Sequence, residues 1–225
     1  MPLDPFQADV AQIALAAAEG HDFALAGGNA LIAHGLVSRV TEDVDLFTTR
    51  AGGPGHVTQA VVAALRAGGC KVTVRRISTD GDFTRLAVGR DGRWTELELA
   101  RDWRAHAAVR LGIGPVLHVE DAIANKVCAM IGRSLPRDYI DVAGAAASTT
   151  RAELLRTAFE HDPGLRVEDV TGAMHQLDQL RTEDFARYGL DEDAVAHIRA
   201  TFVDWPRDPA ADDEGHAVHT GASRA

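Results

Sequence analysis

Asp43 and Asp45 flank a single valine at the head of Val44-Asp45-Leu46-Phe47-Thr48, a segment of strand composition. On a strand, residues two apart project to the same side, so both carboxylates would face one point off the sheet. Two like charges held that close repel each other, and a cation offsets the cost. Hard oxygen ligands select Mg²⁺ or a similar ion, which keeps several waters and accepts substrate phosphates as further ligands. An isolated Asp-x-Asp pair also occurs on solvated turns and sheet edges, so its neighbours must decide the reading.

Those neighbours are informative. Gly27-Gly28 ends the short apolar stretch Phe23-Ala24-Leu25-Ala26 and opens a helix-length segment before the pair. Paired glycines let a phosphate approach the backbone, and a following helix N-terminus offers unpaired N–H groups. Asn29 could add a side-chain donor, and Arg39 could contact a triphosphate or pair with Glu42 at the surface. A third acid lies in Trp94-Thr95-Glu96-Leu97-Glu98-Leu99, where alternation sets Glu96 and Glu98 on one face and Leu97 and Leu99 on the other. Two-metal phosphoryl chemistry needs such a third carboxylate, and Glu98 is preferred with Glu96 as its competitor.

The elements that must position these groups follow from periodicity. An amphipathic helix is expected over residues 6–18, a strand or extended entry over 23–26 and a short helix over 29–34. The strand carrying Asp45 comes next, then a loop at 51–55 and a second amphipathic helix over 57–67. Three extended segments, 71–78, 83–88 and 93–100, are separated by Asp80-Gly81-Asp82 and by the hairpin signal Asp91-Gly92. From Gly112 onward the pattern turns helical, with helices expected at 119–131, 136–147, 151–159, 167–180 and 191–202. The fold class is therefore α+β, a small mixed sheet followed by a helical C-terminal lobe. The divisions expected are 1–115 for the α/β core, 116–205 for the helical lobe and 206–225 for a disordered tail.

Composition narrows the function. A chain of 225 residues with 46% hydrophobic and 25% charged residues can bury a sizeable core. No apolar run is long enough to span a bilayer, and no partner membrane is expected. The start Met1-Pro2-Leu3-Asp4 lacks the pattern of a secretory signal. Cys70 and Cys128 have no metal-ligand spacing and fit reduced thiols, so a cytoplasmic location is expected. A net charge of −10 argues against a generic nucleic-acid coat, although a local basic groove remains compatible with it. Among ten histidines the close pair is His216 and His219, with no cysteine or carboxylate completing a zinc site. Trp94, Trp103 and Trp205 read as packing residues.

The run Leu25-Ala26-Gly27-Gly28-Asn29-Ala30-Leu31, then His34-Gly35 and Arg39-Val40-Thr41-Glu42-Asp43-Val44-Asp45-Leu46-Phe47, resembles the first motif of the AbiEii/AbiGii-type nucleotidyltransferase toxins. This group includes the mycobacterial MenT enzymes and belongs to the polymerase-β nucleotidyltransferase superfamily. A second block is similar to the family's helical signature: Glu120-Asp121-Ala122-Ile123-Ala124-Asn125-Lys126, then Arg133 and Pro136-Arg137-Asp138-Tyr139-Ile140-Asp141. Glu98 stands where close relatives usually carry Asp.

The resemblance implies a polymerase-β-type core that binds two Mg²⁺ ions, with Mn²⁺ as an alternative, through Asp43, Asp45 and Glu98. It implies an NTP held by Gly27, Gly28, Asn29, Arg39 and Lys126, with Asp141, alongside Asp138, organising the site from the helical lobe. The acceptor implied is RNA, foremost the tRNA 3′ end; Arg101, Arg104 and Arg110, just past the third acidic strand, could form a backbone-contacting patch or equally be solvated surface arginines. A cognate antitoxin protein is implied as a partner. Transfer to a small molecule or a protein, an NTP-dependent kinase, and an inactive nucleotide-binding module are the alternatives.

Overall fold

Period-two alternation becomes period-two burial. The computed structural model describes residues 3–208. In chain order it begins with α1 (Pro5–Ala17), β1 (Ala24–Leu25), α2 (Gly27–Ala33), β2 (Asp43–Thr48) and α3 (Gly53–Ala67). The strands β3 (Lys71–Ile77), β4 (Phe83–Arg90), β5 (Arg93–Arg101), β6 (Val109–Leu111) and β7 (Gly114–Val116) follow. Val44, Leu46 and Thr48 of β2 are buried, and so are Thr95, Leu97 and Leu99 of β5. The residues between them are half-buried or exposed.

The strands form one mixed sheet in the order β3-β4-β5-β2-β1-β7-β6. β2 runs parallel to β5 and β1 parallel to β7, while the other neighbours are antiparallel. Helices α1 and α3 cover the same face of this sheet. Thr58 of α3 shares a hydrogen bond of 2.9 Å with Thr84 of β4, and Gln7 of α1 donates to Thr95 of β5 at 3.3 Å. The register sets Thr84 opposite Leu99 and Val88 opposite Thr95, so both threonines lie on the core side. The other face carries the acidic residues.

Several local departures have simple causes. The last three residues of the loop expected at 51–55 already belong to α3: Gly52 takes φ +67 as the N-cap, and Pro54 sits in the first turn, where its missing N–H costs nothing. The β6–β7 hairpin lies where the sequence shows no strand signal, because strands of three residues are too short to display a period. Trp205 is buried, but Trp94 and Trp103 are more than half exposed, contrary to a packing role for all three. Trp94 instead lies flat on Gly89, where an added Cβ would come within 2.7 Å of the indole.

The chain divides into two compact units, Met1–Asn125 and Lys126–Ala225, and the division falls inside α4 (Val119–Arg133). The second unit continues with α5 (Pro136–Ala146), α6 (Arg151–His161), α7 (Val167–Gln179), α8 (Thr182–Ala186) and α9 (Glu192–Thr201). Its core includes Tyr139, Met130, Leu154, Met174, Phe185 and Phe202. The Tyr139 hydroxyl donates to the Ala173 carbonyl at 2.6 Å, and burial pushes its pKa up to about 12, so it stays a neutral donor. Phe202 meets Tyr139 and Trp205 edge-on. Pro206 is buried and Arg207 pairs with Asp178 at 3.3 Å, so order extends past Trp205. The rest of the expected tail, from residue 209, lies outside the described residues. Among the described residues no helix is long and apolar enough to cross a membrane.

A buried polar cluster ties α1 to the start of β2. Gln7 donates to the Thr41 carbonyl at 3.0 Å and accepts from both Thr41 Oγ1 and Asn29 Nδ2. Replacing Gln7 by Leu strands these buried groups, which costs about 1–3 kcal/mol. Urea unfolding of Gln7→Leu should show that loss, and unchanged stability would mean the cluster is not a structural joint.

Candidate active site

The parallel pairing of β2 with β5 decides which side chains meet. Asp43 lies beside Glu96 and Asp45 beside Glu98, with Val44 beside Leu97 on the core side. Four carboxylates therefore occupy one sheet face on neighbouring strands about 4.8 Å apart. The Glu98 side chain is 19% exposed and that of Glu96 is 49% exposed. Arg85, on β4, lies across from Glu98 in the antiparallel register. Its guanidinium is 2.6 Å from Glu98 and 3.6 Å from Glu96. Sequence reasoning passed over this arginine, because only the β4–β5 register reveals it.

The glycine turn abuts the same carboxylates. The Ala26 N–H donates to the Asp45 carbonyl at 2.8 Å, which brings the end of β1 onto β2. Gly27 follows at φ +60, and a Cβ built there would lie 1.8 Å from Asp45 Oδ2. Both the left-handed backbone and the packed carboxylate exclude a side chain. At Gly28 a Cβ would meet Arg39 Nη2 at 2.6 Å. Arg39 is buried and donates to the Val40 carbonyl at 2.9 Å.

Asn29 is 3% exposed and donates to the Asp43 carbonyl at 2.9 Å. Thr41 Oγ1 lies 3.0 Å from Asn29 Oδ1, and Thr95 Oγ1 lies 3.3 Å from the Glu42 carbonyl. These bonds fix the backbone on both sides of Asp43. Asn29 thus holds the aspartate strand in place.

The second unit carries two buried acids with cationic partners. Lys126 Nζ is 3.0 Å from Asp141 Oδ2, with side-chain exposures of 8% and 0%. Arg133 makes a two-pronged contact with the fully buried Asp138, at 2.9 and 2.8 Å. The α5 helix starts at Pro136, which sets Asp138 and Asp141 one turn apart on its inner face.

Asp121, in the first turn of α4, is buried and accepts from the backbone N–H groups of Ala105 and His106 at 2.8 and 3.0 Å. It anchors the segment that leaves β5. Arg101 pairs with Asp82 at 3.0 Å and Arg104 with Asp22 at 2.5 Å. Arg110 instead lines, with Arg50, an open cavity of about 580 Å³ beside α1. Asp22, the partner of Arg104, lines the same cavity. His106, His118 and Glu120 come together, although their spacing gives no metal-ligand signal in the sequence. His216 and His219 lie outside the described residues.

The donor chemistry of the first unit suits a hard divalent cation. Asp43, Asp45 and Glu98 offer carboxylate oxygens from one side of two adjacent strands, with no sulfur and no imidazole among them. Together with a turn that admits no side chain, this is the arrangement a nucleotide-dependent transferase needs.

Comparison with known proteins agrees. The family model described as "Nucleotidyl transferase AbiEii toxin, Type IV TA system" matches residues 11–213. No curated protein matches the sequence. Among solved structures, JHP933 from Helicobacter pylori superposes with a TM-score of 0.56 at 16% identity, over 88% of this chain and 91% of that one. A putative nucleotidyltransferase from H. pylori gives a TM-score of 0.53 at 18% identity, over 87% and 90%. MenT4, a nucleotidyltransferase toxin from Mycobacterium tuberculosis, gives 0.52 at 19% identity, over 91% and 84%. At these identities the three structures establish a shared fold.

The Lys126–Asp141 pair predicts a measurable asymmetry. Asp141→Asn leaves a buried ammonium without its counter-charge and should lower stability by about 3–5 kcal/mol. Lys126→Met combined with Asp141→Leu should recover most of it. If Asp141→Asn unfolds at the wild-type denaturant midpoint, the pair has no structural role.

Proposed function

Because the chain belongs to the AbiEii family of nucleotidyl transferase toxins of type IV toxin–antitoxin systems, we propose that it transfers NMP from an NTP to an RNA acceptor, the tRNA 3′ end, releasing pyrophosphate. The observation that carries this reading is the register that sets Asp43 and Asp45 beside Glu96 and Glu98, with Asp45 packed on Gly27. In the reaction, an acceptor hydroxyl oxygen forms a bond to the α-phosphorus. The bond from that phosphorus to the αβ-bridging oxygen breaks, and pyrophosphate leaves with the electron pair.

Asp43, Asp45 and Glu98 would hold two Mg²⁺ ions, which supply charge stabilisation to the phosphates and lower the pKa of the attacking hydroxyl. Glu98 is favoured over Glu96 as the third acid, because it stands beside Asp45 and is the less exposed. Gly27 and Gly28 let a phosphate approach the backbone. Asn29 and Arg39 act from beneath: the first fixes the backbone at Asp43, and the second packs against Gly28. Lys126 would supply a point charge to the triphosphate, with Asp141 holding its ammonium in place.

An RNA acceptor is supported by the surface beside the carboxylates. Trp94 is 59% exposed on that face. Arg76 and Arg85 each stand 5.5 Å from the Phe83 ring. An exposed indole and a half-buried phenyl ring flanked by two arginines suit stacked bases and a phosphate backbone. The family also implies an antitoxin as protein partner.

Incubation with α-³²P- and γ-³²P-labelled NTPs, Mg²⁺ and total tRNA tests the proposal. Label from the α position should appear on tRNA. Label from the γ position alone would make the protein a kinase, label on protein or a small product would move the acceptor, and no label would leave a binding module. Asp45→Asn should reduce transfer to background while keeping the fold. Gly27→Ala must displace the Asp45 carboxylate, and misplacement on that scale costs about 10²-fold in rate. Wild-type turnover in Gly27→Ala would mean that Asp45 does not work from the position seen here.

A further inference from the structure

Three side chains of the first unit converge where the chain returns from β5 to α4. His106, His118 and Glu120 each offer a ligand atom, and these atoms lie within 4.8 Å of one another. The two imidazoles stack, with centroids 4.4 Å apart and planes 26° apart. His106 Nε2 is 3.7 Å from Glu120 Oε2. None of the three belongs to the acidic set proposed to serve the nucleotide.

A second, independent feature prepares His106 for a ligand. Its Nδ1 faces the carboxylate of Asp121 at 3.4 Å, and the Asp121 side chain is only 3% exposed. The same carboxylate receives the backbone N–H of His106 and of Ala105, so it cannot swing away. A carboxylate facing Nδ1 orients the ring and leaves Nε2 on the side of Glu120. This is the outer arrangement by which proteins orient metal-binding histidines. His118 Nδ1 accepts a long bond of 3.3 Å from the Glu120 N–H. Ligation through that nitrogen would exchange a weak hydrogen bond for a metal bond and leave Nε2–H in solvent.

We propose that His106, His118 and Glu120 form a site for a Zn²⁺-class transition-metal ion, with Asp121 as its positioning residue. Two imidazoles and one carboxylate are the ligand set of three-coordinate protein zinc sites, which complete their tetrahedron with water. Nitrogen donors favour Zn²⁺, Co²⁺ or Ni²⁺ over Mg²⁺, so the site and the hard-oxygen site select different ions. The half-exposed ligands leave the fourth position open to solvent. An ion there would clamp the segment after β5 to the first turn of α4, reinforcing the tie that Asp121 already makes.

The test uses the full chain, freed of any histidine tag and of metal, titrated with Co²⁺ and Zn²⁺. Co²⁺ should bind one equivalent with the intense visible absorption of a four-coordinate ion, and Zn²⁺ should displace it and raise the melting temperature. His106→Ala and His118→Ala should abolish the spectrum. Glu120→Gln should weaken affinity at least tenfold, and Asp121→Asn by about 10- to 100-fold through the orientation of His106. Asp43→Asn with Asp45→Asn should leave binding intact, and so should His216→Ala with His219→Ala. Loss of the spectrum in either of those double variants, or its persistence without His106 and His118, overturns the proposal. Absence of any Co²⁺ or Zn²⁺ binding by the wild-type chain does so too.

Discussion

The parallel register between β2 and β5 is the constraint on which the proposed chemistry depends. Side chains alternate with a period of two, so a slip by one residue would send Asp43 and Asp45 into the core and Val44 and Leu46 into water. Burial of Val44, Leu46, Leu97 and Leu99 therefore selects the arrangement that gathers the acids. Each of these side chains favours burial by about 1.5–3 kcal/mol. That apolar preference exceeds what repulsion between half-solvated carboxylates could oppose. The core holds the acids together against their own charge.

Register alone would leave the start of β2 free to fray, since Asp43 is its first residue. The Gln7, Asn29, Thr41 and Thr95 cluster removes that freedom. Each of its amides and hydroxyls is buried and bonded, so each bond is worth more than it would be in water. The cluster joins α1, α2, β5 and the segment before β2 at one point. Gly27 then fixes the other end of the problem, because the space a side chain would need is filled by Asp45. A backbone joint and a packing joint thus bracket a pair of carboxylates only two residues apart.

Much of this was legible in the sequence, and the reason is periodicity. Alternation in 93–100 separated Glu96 and Glu98 from Leu97 and Leu99, and the burial follows it. Gly27 and Gly28 were visible as the break after the apolar stretch, and Gly27 takes a backbone, φ +60, that few other residues tolerate. What escaped depends on contacts between segments far apart in the chain. Arg85 meets Glu98 only through the β4–β5 pairing, and His106 meets His118 only because the β6–β7 hairpin folds the chain back. That hairpin and the five-residue α8 are shorter than any window in which a period can be read. Asn29 was read as a ligand donor, whereas its amide is spent on the Asp43 carbonyl. A single asparagine in sequence gives no sign of which partner it will find.

Arg85 changes the electrostatics of the acidic face. It stands 2.6 Å from Glu98 and 3.6 Å from Glu96 and serves the β5 acids, while Asp45 is seated against the glycine turn. A guanidinium is always charged, so it attracts the Glu98 oxygens it touches. It also competes with any cation for the same oxygens. A glutamate has one more methylene than an aspartate, which lets Glu98 reach toward Arg85 or toward Asp45 from the same backbone position. Aspartate at position 98 would sit closer to its own strand and could not span both. The longer acid and the arginine across from it therefore form one pair on the acidic face, and the proposed role of Glu98 as third carboxylate requires it to exchange that partner for the ion.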